Sequence, residues 1–150
     1  MVEILVEQSF RADAAAVYAC VSDHPRFIAG RGLVCRLSRD GHPLPNGLGA
    51  VREVRSGPLT LVEHITAWRP GEGYDYRIER VRFGPVPLPF VHELGEVRLW
   101  PEAGGTRVSW RSRFRVPVLG KSVETRLAAA GQRAFASLLR RAADRLGAAP

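Results

Sequence analysis

SVETRLAAAGQRAFASLLRRAADRL, residues 122–146, carries the pattern that decides the fold. Val123, Leu127, Gly131, Ala134, Leu138, Ala142 and Leu146 recur three or four residues apart, while Glu124, Arg133, Arg140, Arg141 and Asp144 fall mostly elsewhere. That spacing gathers the apolar residues on one face of a helix, predicted near 120–146 and about six turns or more long at roughly 3.6 residues per turn. Its middle is small: Ala128, Ala129, Ala130, Gly131, Ala134 and Ala136. Such a face must be buried against another apolar surface.

The rest of the chain supplies that surface. Val2, Ile4, Val6, Gln8 and Phe10 alternate with Glu3, Leu5, Glu7 and Ser9, the period of a strand with one buried face. Asp13 is placed to cap a short helix over Ala14–Val21. Asp23-His24-Pro25 breaks it, and Arg26-Phe27-Ile28 suits a further helical turn. Leu33, Cys35 and Leu37 alternate again, and Asp40–Gly47, with two prolines and two glycines, reads as a loop. Runs at 50–55, 59–68, 74–83, 91–100 and 106–116 are separated by short turns, so they form an antiparallel meander. Gly84–Pro89 holds three prolines and is expected to be a stiff loop at the sheet's rim. The predicted fold is α+β, a single domain over 1–150. A seven-stranded curved antiparallel sheet curls around the long helix, with two short helices after the first strand.

Residues directly opposite in antiparallel strands share a face. With Leu61, Glu63, Ile65 and Ala67 facing in, the turns place Arg52 opposite Glu63, Val54 opposite Leu61, Tyr76 opposite Ile65 and Tyr74 opposite Ala67. In the last hairpin Leu99 falls opposite Thr106, Val97 opposite Val108 and Gly95 opposite Trp110. Two carboxylates then point inward, Glu63 beside Arg52 and Glu93 beside Arg80, each with the counter-charge that burial demands. Either these pairs line a cavity, or they sit at strand ends, half in water. The volume left by the alanine-rich helix likewise holds either a guest or the large side chains Trp110, Tyr76 and Phe114. His64 and His92 fall on the outward parity; His24 and His42 fall in loops.

With 150 residues and 45% apolar content the chain can bury its own core. No stretch approaches the roughly eighteen apolar residues of a membrane-spanning helix. The acidic, alternating N-terminus is unlike a secretory signal, so a cytoplasmic protein is expected. Cys20 and Cys35 read as buried free thiols. No metal spacing, phosphate loop, nucleophile elbow or dinucleotide fingerprint occurs, so neither metal nor cofactor is expected. The net charge is +7, and Lys121 is the one lysine among 22 basic residues. Arg107, Arg111, Arg113 and Arg115 alternate outward along the last strand, with Arg98 beside them. The stripe is either a solvated face or a dock for an acidic partner. It lacks the interleaved exposed aromatics of a nucleic-acid surface.

Four stretches, in this order and at this spacing, resemble the START-related, polyketide cyclase/dehydrase and lipid-transport (SRPBCC) superfamily. They are Ala16–Asp23, Gly47–Arg52, Val62–Thr66 and Gly104–Trp110. The tryptophan that many members place just after the first stretch is missing from Pro25–Gly30. The resemblance implies an internal cavity for a polyketide-, lipid- or steroid-like molecule, which is cyclised or dehydrated in some members and only carried or sensed in others. In a cyclase, Glu63 or Glu93 would be the base, Tyr74 and Tyr76 donors to a carbonyl, and Arg52 or Arg80 the group that stabilises an enolate. Tyr74, Trp110, Ile65, Ile78, Val97, Val108, Phe114, Leu127 and Gly131 are the expected ligand contacts, and an acyl carrier protein would suit the basic stripe.

Overall fold

The computed structural model describes residues 1–147; residues 148–150 of the expected domain lie outside it. The elements run β1 (Val2–Phe10), α1 (Ala14–Ser22), α2 (His24–Ile28), β2 (Leu33–Arg39), β3 (Val51–Ser56) and β4 (Leu59–Arg69). They continue with β5 (Gly73–Phe83), β6 (Val86–Pro87), β7 (Val91–Glu102), β8 (Gly105–Arg115) and α3 (Lys121–Gly147). One antiparallel sheet has the order β1-β8-β7-β5-β4-β3-β2, with β6 on β5. This is the helix-grip arrangement that the alternating strands and the periodic C-terminal segment predict. The proline loop differs slightly: Val86 and Pro87 pair with Phe83 and Arg82. Pro87 has no N–H to give, and the next bond to β5 comes from Leu88, whose N–H donates to the Val81 carbonyl at 2.9 Å. Among the described residues no helix is long and apolar enough to cross a membrane.

Asp13 caps α1 as expected, its Oδ1 accepting the Ala16 N–H at 2.8 Å. Asp13→Ala should cost about 1 kcal/mol of stability in a urea titration; no loss would mean that tertiary packing alone holds the helix. His24 is not in a loop. It opens α2 with Pro25 directly behind it, and its ring is fully buried.

α3 lies against the inward face beside β1. A Cβ on Gly131 would come within 2.4 Å of Ile4 Cδ1, so the glycine lets helix and strand approach. Gln132 does more. Its Oε1 accepts the Leu5 N–H at 3.3 Å and its Nε2 donates to the Leu5 carbonyl at 2.9 Å. A side-chain amide thus continues the hydrogen bonding of β1, an edge strand, and covers part of that edge.

The threading holds at Arg52–Glu63, Val54–Leu61 and Ile65–Tyr76. It shifts elsewhere. An irregularity between Ile65 and Ala67 pairs Tyr74 with Trp68 rather than Ala67. The last hairpin turns more tightly than expected. Thr106 meets Pro101, Leu99 meets Val108, Val97 meets Trp110 and Gly95 meets Ser112. That slip is two residues, so every side chain keeps its face.

Candidate functional site

Alternation along β3 and β4 brings Arg52 and Glu63 together on the inner face. Arg52 Nε donates to the Glu63 carboxylate, and both side chains are buried. The guanidinium lies 5.1 Å from the Tyr76 ring centroid and 5.9 Å from that of Tyr74, within cation–π range. Burial opposes its charge, but Glu63 and the surrounding phenols outweigh burial and hold the group protonated. Its Nη1 and Nη2 have no hydrogen-bond partner. Tyr74 feels that charge, yet its hydroxyl donates to the Val21 carbonyl at 3.1 Å.

The second buried pair does not form. A bulge between His92 and Leu94 reverses the parity of β7 at that point. Glu93 turns to solvent and His92 turns in. Arg80 also points outward, opposite Val62, after a bulge between Val62 and Glu63; β5 and β7 pair only at the other end, from Gly73 to Asp75. His64 keeps the expected outward side, with Nδ1 3.2 Å from Glu79.

His92 anchors a polar chain inside the sheet. Its Nδ1 accepts the Ile78 N–H at 3.0 Å, which leaves the proton on Nε2, 3.0 Å from Ser112 Oγ. Trp110 Nε1 donates to Tyr76 Oη at 2.9 Å. Gly95 makes room for rings, but not for Trp110. A Cβ there would lie 2.7 Å from both His92 Cε1 and Tyr76 Cζ. Burial, then the Arg77 charge, pushes His92 down to about 4. Burial first, then Glu63, raises the Tyr76 phenol well above its ordinary range despite the Trp110 hydrogen bond, so it stays neutral.

Above this floor lies a pocket of about 270 Å³ between the sheet and α3. Ile78, Trp110, Phe114, Leu127 and Gly131, all expected contacts, line it together with Arg52 and Glu63. Tyr76, Tyr74, Ile65, Val97 and Val108 face inward as expected but are packed behind the wall and do not line it. The physical reason is visible at Tyr74: α1 and α2 close that end of the groove, with the His24 ring 4.8 Å from Tyr74. His24 leaves both ring nitrogens unpaired, and burial, then Arg52, holds it well below the usual histidine range.

Ser112, Phe135 and Leu138 also line the pocket without being among the expected contacts, although Leu138 belongs to the apolar stripe of α3. Ser112 continues the inward parity of Val108 and Trp110, so alternation alone contained it. Phe135 sits one place beyond the apolar stripe at Ala134, and its ring stacks on Trp110 at 3.8 Å and 12°. His92 had no local signal. Among the described residues no group of three or more potential ligands converges on a metal position. Cys35 is buried, and burial raises its thiol to about 11.

The arginine stripe is mostly compensated. Arg98 bridges Asp75 and Glu96, Arg111 reaches Glu96 at 3.6 Å, Arg113 reaches Glu3 at 3.7 Å and Arg107 bonds Glu102.

A family model described as "Polyketide cyclase / dehydrase and lipid transport" matches residues 1–148. The chain belongs to that family. Among solved structures it is similar to TTHA0849 from Thermus thermophilus, with a TM-score of 0.74, 16% identity and 98% of each chain covered. It is also similar to XoxI from Bacillus cereus, with a TM-score of 0.72 and 15% identity, covering 99% of this chain and 97% of that one. Ms6760 from Mycobacterium smegmatis matches with a TM-score of 0.69 and 11% identity, over 97% of this chain and 91% of that one. At these identities the likenesses concern the fold alone. No curated protein matches the sequence.

Proposed function

We propose that this polyketide cyclase/dehydrase and lipid-transport family member binds a small, largely apolar molecule between its sheet and α3. The observation that carries this reading is the pocket itself. Its wall is hydrocarbon and aromatic from Ile4 to Leu138, interrupted by Arg52, Glu63, Ser56 and Ser112 alone. A few polar groups in an apolar concavity are the usual make-up of a small-molecule site. The volume lies just below the roughly 300–1,000 Å³ such sites span, so the guest is small.

Holding the guest is favoured over transforming it. Glu63 is already tied to Arg52, and the Tyr76 hydroxyl is engaged by Trp110 behind the wall. Cyclisation or dehydration remains the second reading, because the Glu63 carboxylate does reach the pocket. An acidic carrier protein has little to add at a stripe whose arginines mostly hold acidic partners. A protein working in the cytoplasm fits this reading and is part of the proposal.

The test is to extract purified protein, identify the co-purifying compound by mass spectrometry, and return it to stripped protein. Stoichiometric binding with no product is the expected result; a new product would favour the catalytic reading. Ala134→Phe projects a ring into the pocket and should weaken binding at least about tenfold while circular dichroism stays native. Unchanged binding in that variant would place the guest elsewhere and defeat the proposal.

A further inference from the structure

Arg52 is fully buried, borders the pocket, and leaves Nη1 and Nη2 without acceptors. Buried donors are rarely left so, because water has been removed and nothing replaces it. The groups around the guanidinium cannot satisfy all four of these N–H bonds. Glu63 takes Nε, the Tyr74 hydroxyl, which donates to Val21, has lone pairs for at most two of them, and the neighbouring faces are aromatic rings. A guest that fills the pocket can supply the acceptor still lacking.

Charge decides which acceptor fits. Arg52 and Glu63 already sum to zero in a wall that is otherwise apolar apart from two serines. A carboxylate guest would leave one uncompensated negative charge there, beside the Glu63 carboxylate. A ketone, ester or lactone oxygen accepts the same N–H groups and adds no charge. Resting on the ligand-binding reading above, we infer that the pocket selects uncharged carbonyl compounds over both hydrocarbons and carboxylic acids of the same shape. At about 30 Å³ per atom, a water's share of liquid volume, the pocket holds on the order of ten non-hydrogen atoms. A bicyclic ketone is the matching size.

The experiment measures tetralin, tetralone and tetralin carboxylic acid by calorimetry at neutral pH. Tetralone is expected to bind about tenfold tighter than tetralin, and the acid to bind weaker than tetralone. In the double variant Arg52→Met/Glu63→Met the preference for ketone over hydrocarbon should shrink to within about threefold. Equal affinity of wild type for tetralin and tetralone, or tighter binding of the carboxylate at neutral pH, overturns the inference and leaves the ligand-binding reading standing. If none of the three binds stripped protein, that reading falls, and this inference with it.

Discussion

Arg52→Met alone is expected to destabilise the fold by about 3–5 kcal/mol, one of the largest effects available at a single position. The substitution keeps the length of the side chain and much of its packing. What it removes is the counter-charge of Glu63, which stays buried on the inner face with no other cation beside it. The double variant Arg52→Met/Glu63→Met removes both charges and should recover most of that loss, because paired burial carries a desolvation penalty that methionines avoid. Urea titrations of the wild type, both single variants and the double variant close the cycle. Losses that simply add, with the double variant the least stable, would show that the pair's packing matters and its charge does not.

Acidification should unfold the protein in a window set by histidine rather than by carboxylate. His92 is held near 4 in the fold, against about 6.5 in an unfolded chain. Between those values the unfolded state binds the proton and the folded state does not, so stability falls as pH falls. The contribution is complete above about 6.5 and disappears as pH drops through about 4. From pH 6.5 to pH 5, His92 alone should remove about 2 kcal/mol at about 1.36 kcal/mol per unit. His24 is depressed in the same direction by burial, then Arg52, and steepens the fall. His92→Gln keeps an acceptor and a donor without a titrating ring. Its denaturation midpoint should vary less between pH 7 and pH 5. A variant as pH-sensitive as the wild type would remove His92 from the account.

Much of the inner face follows from local pattern. Alternation in β3 and β4 put Arg52 against Glu63, alternation in β8 placed Trp110 and Phe114 inward, and those residues meet at the pocket. It survived a two-residue error in the last hairpin because side-chain direction repeats every two residues. The same rule failed at Glu93 and Arg80, where single-residue bulges reversed it.

By itself the sequence determined the helix-grip architecture, the apolar face of α3 and the buried Arg52–Glu63 pair. These depend on periodicity and on short turns, which neighbouring residues specify. Tertiary structure alone decided that His92 turns in while Glu93 turns out, that α1 and α2 close one end over Tyr74, that Gln132 covers part of the β1 edge, and that acidic neighbours compensate most of the arginine stripe. Each of these depends on which residue lies across a strand or against another element. Residues far apart in the chain supply that contact, and no local period records it.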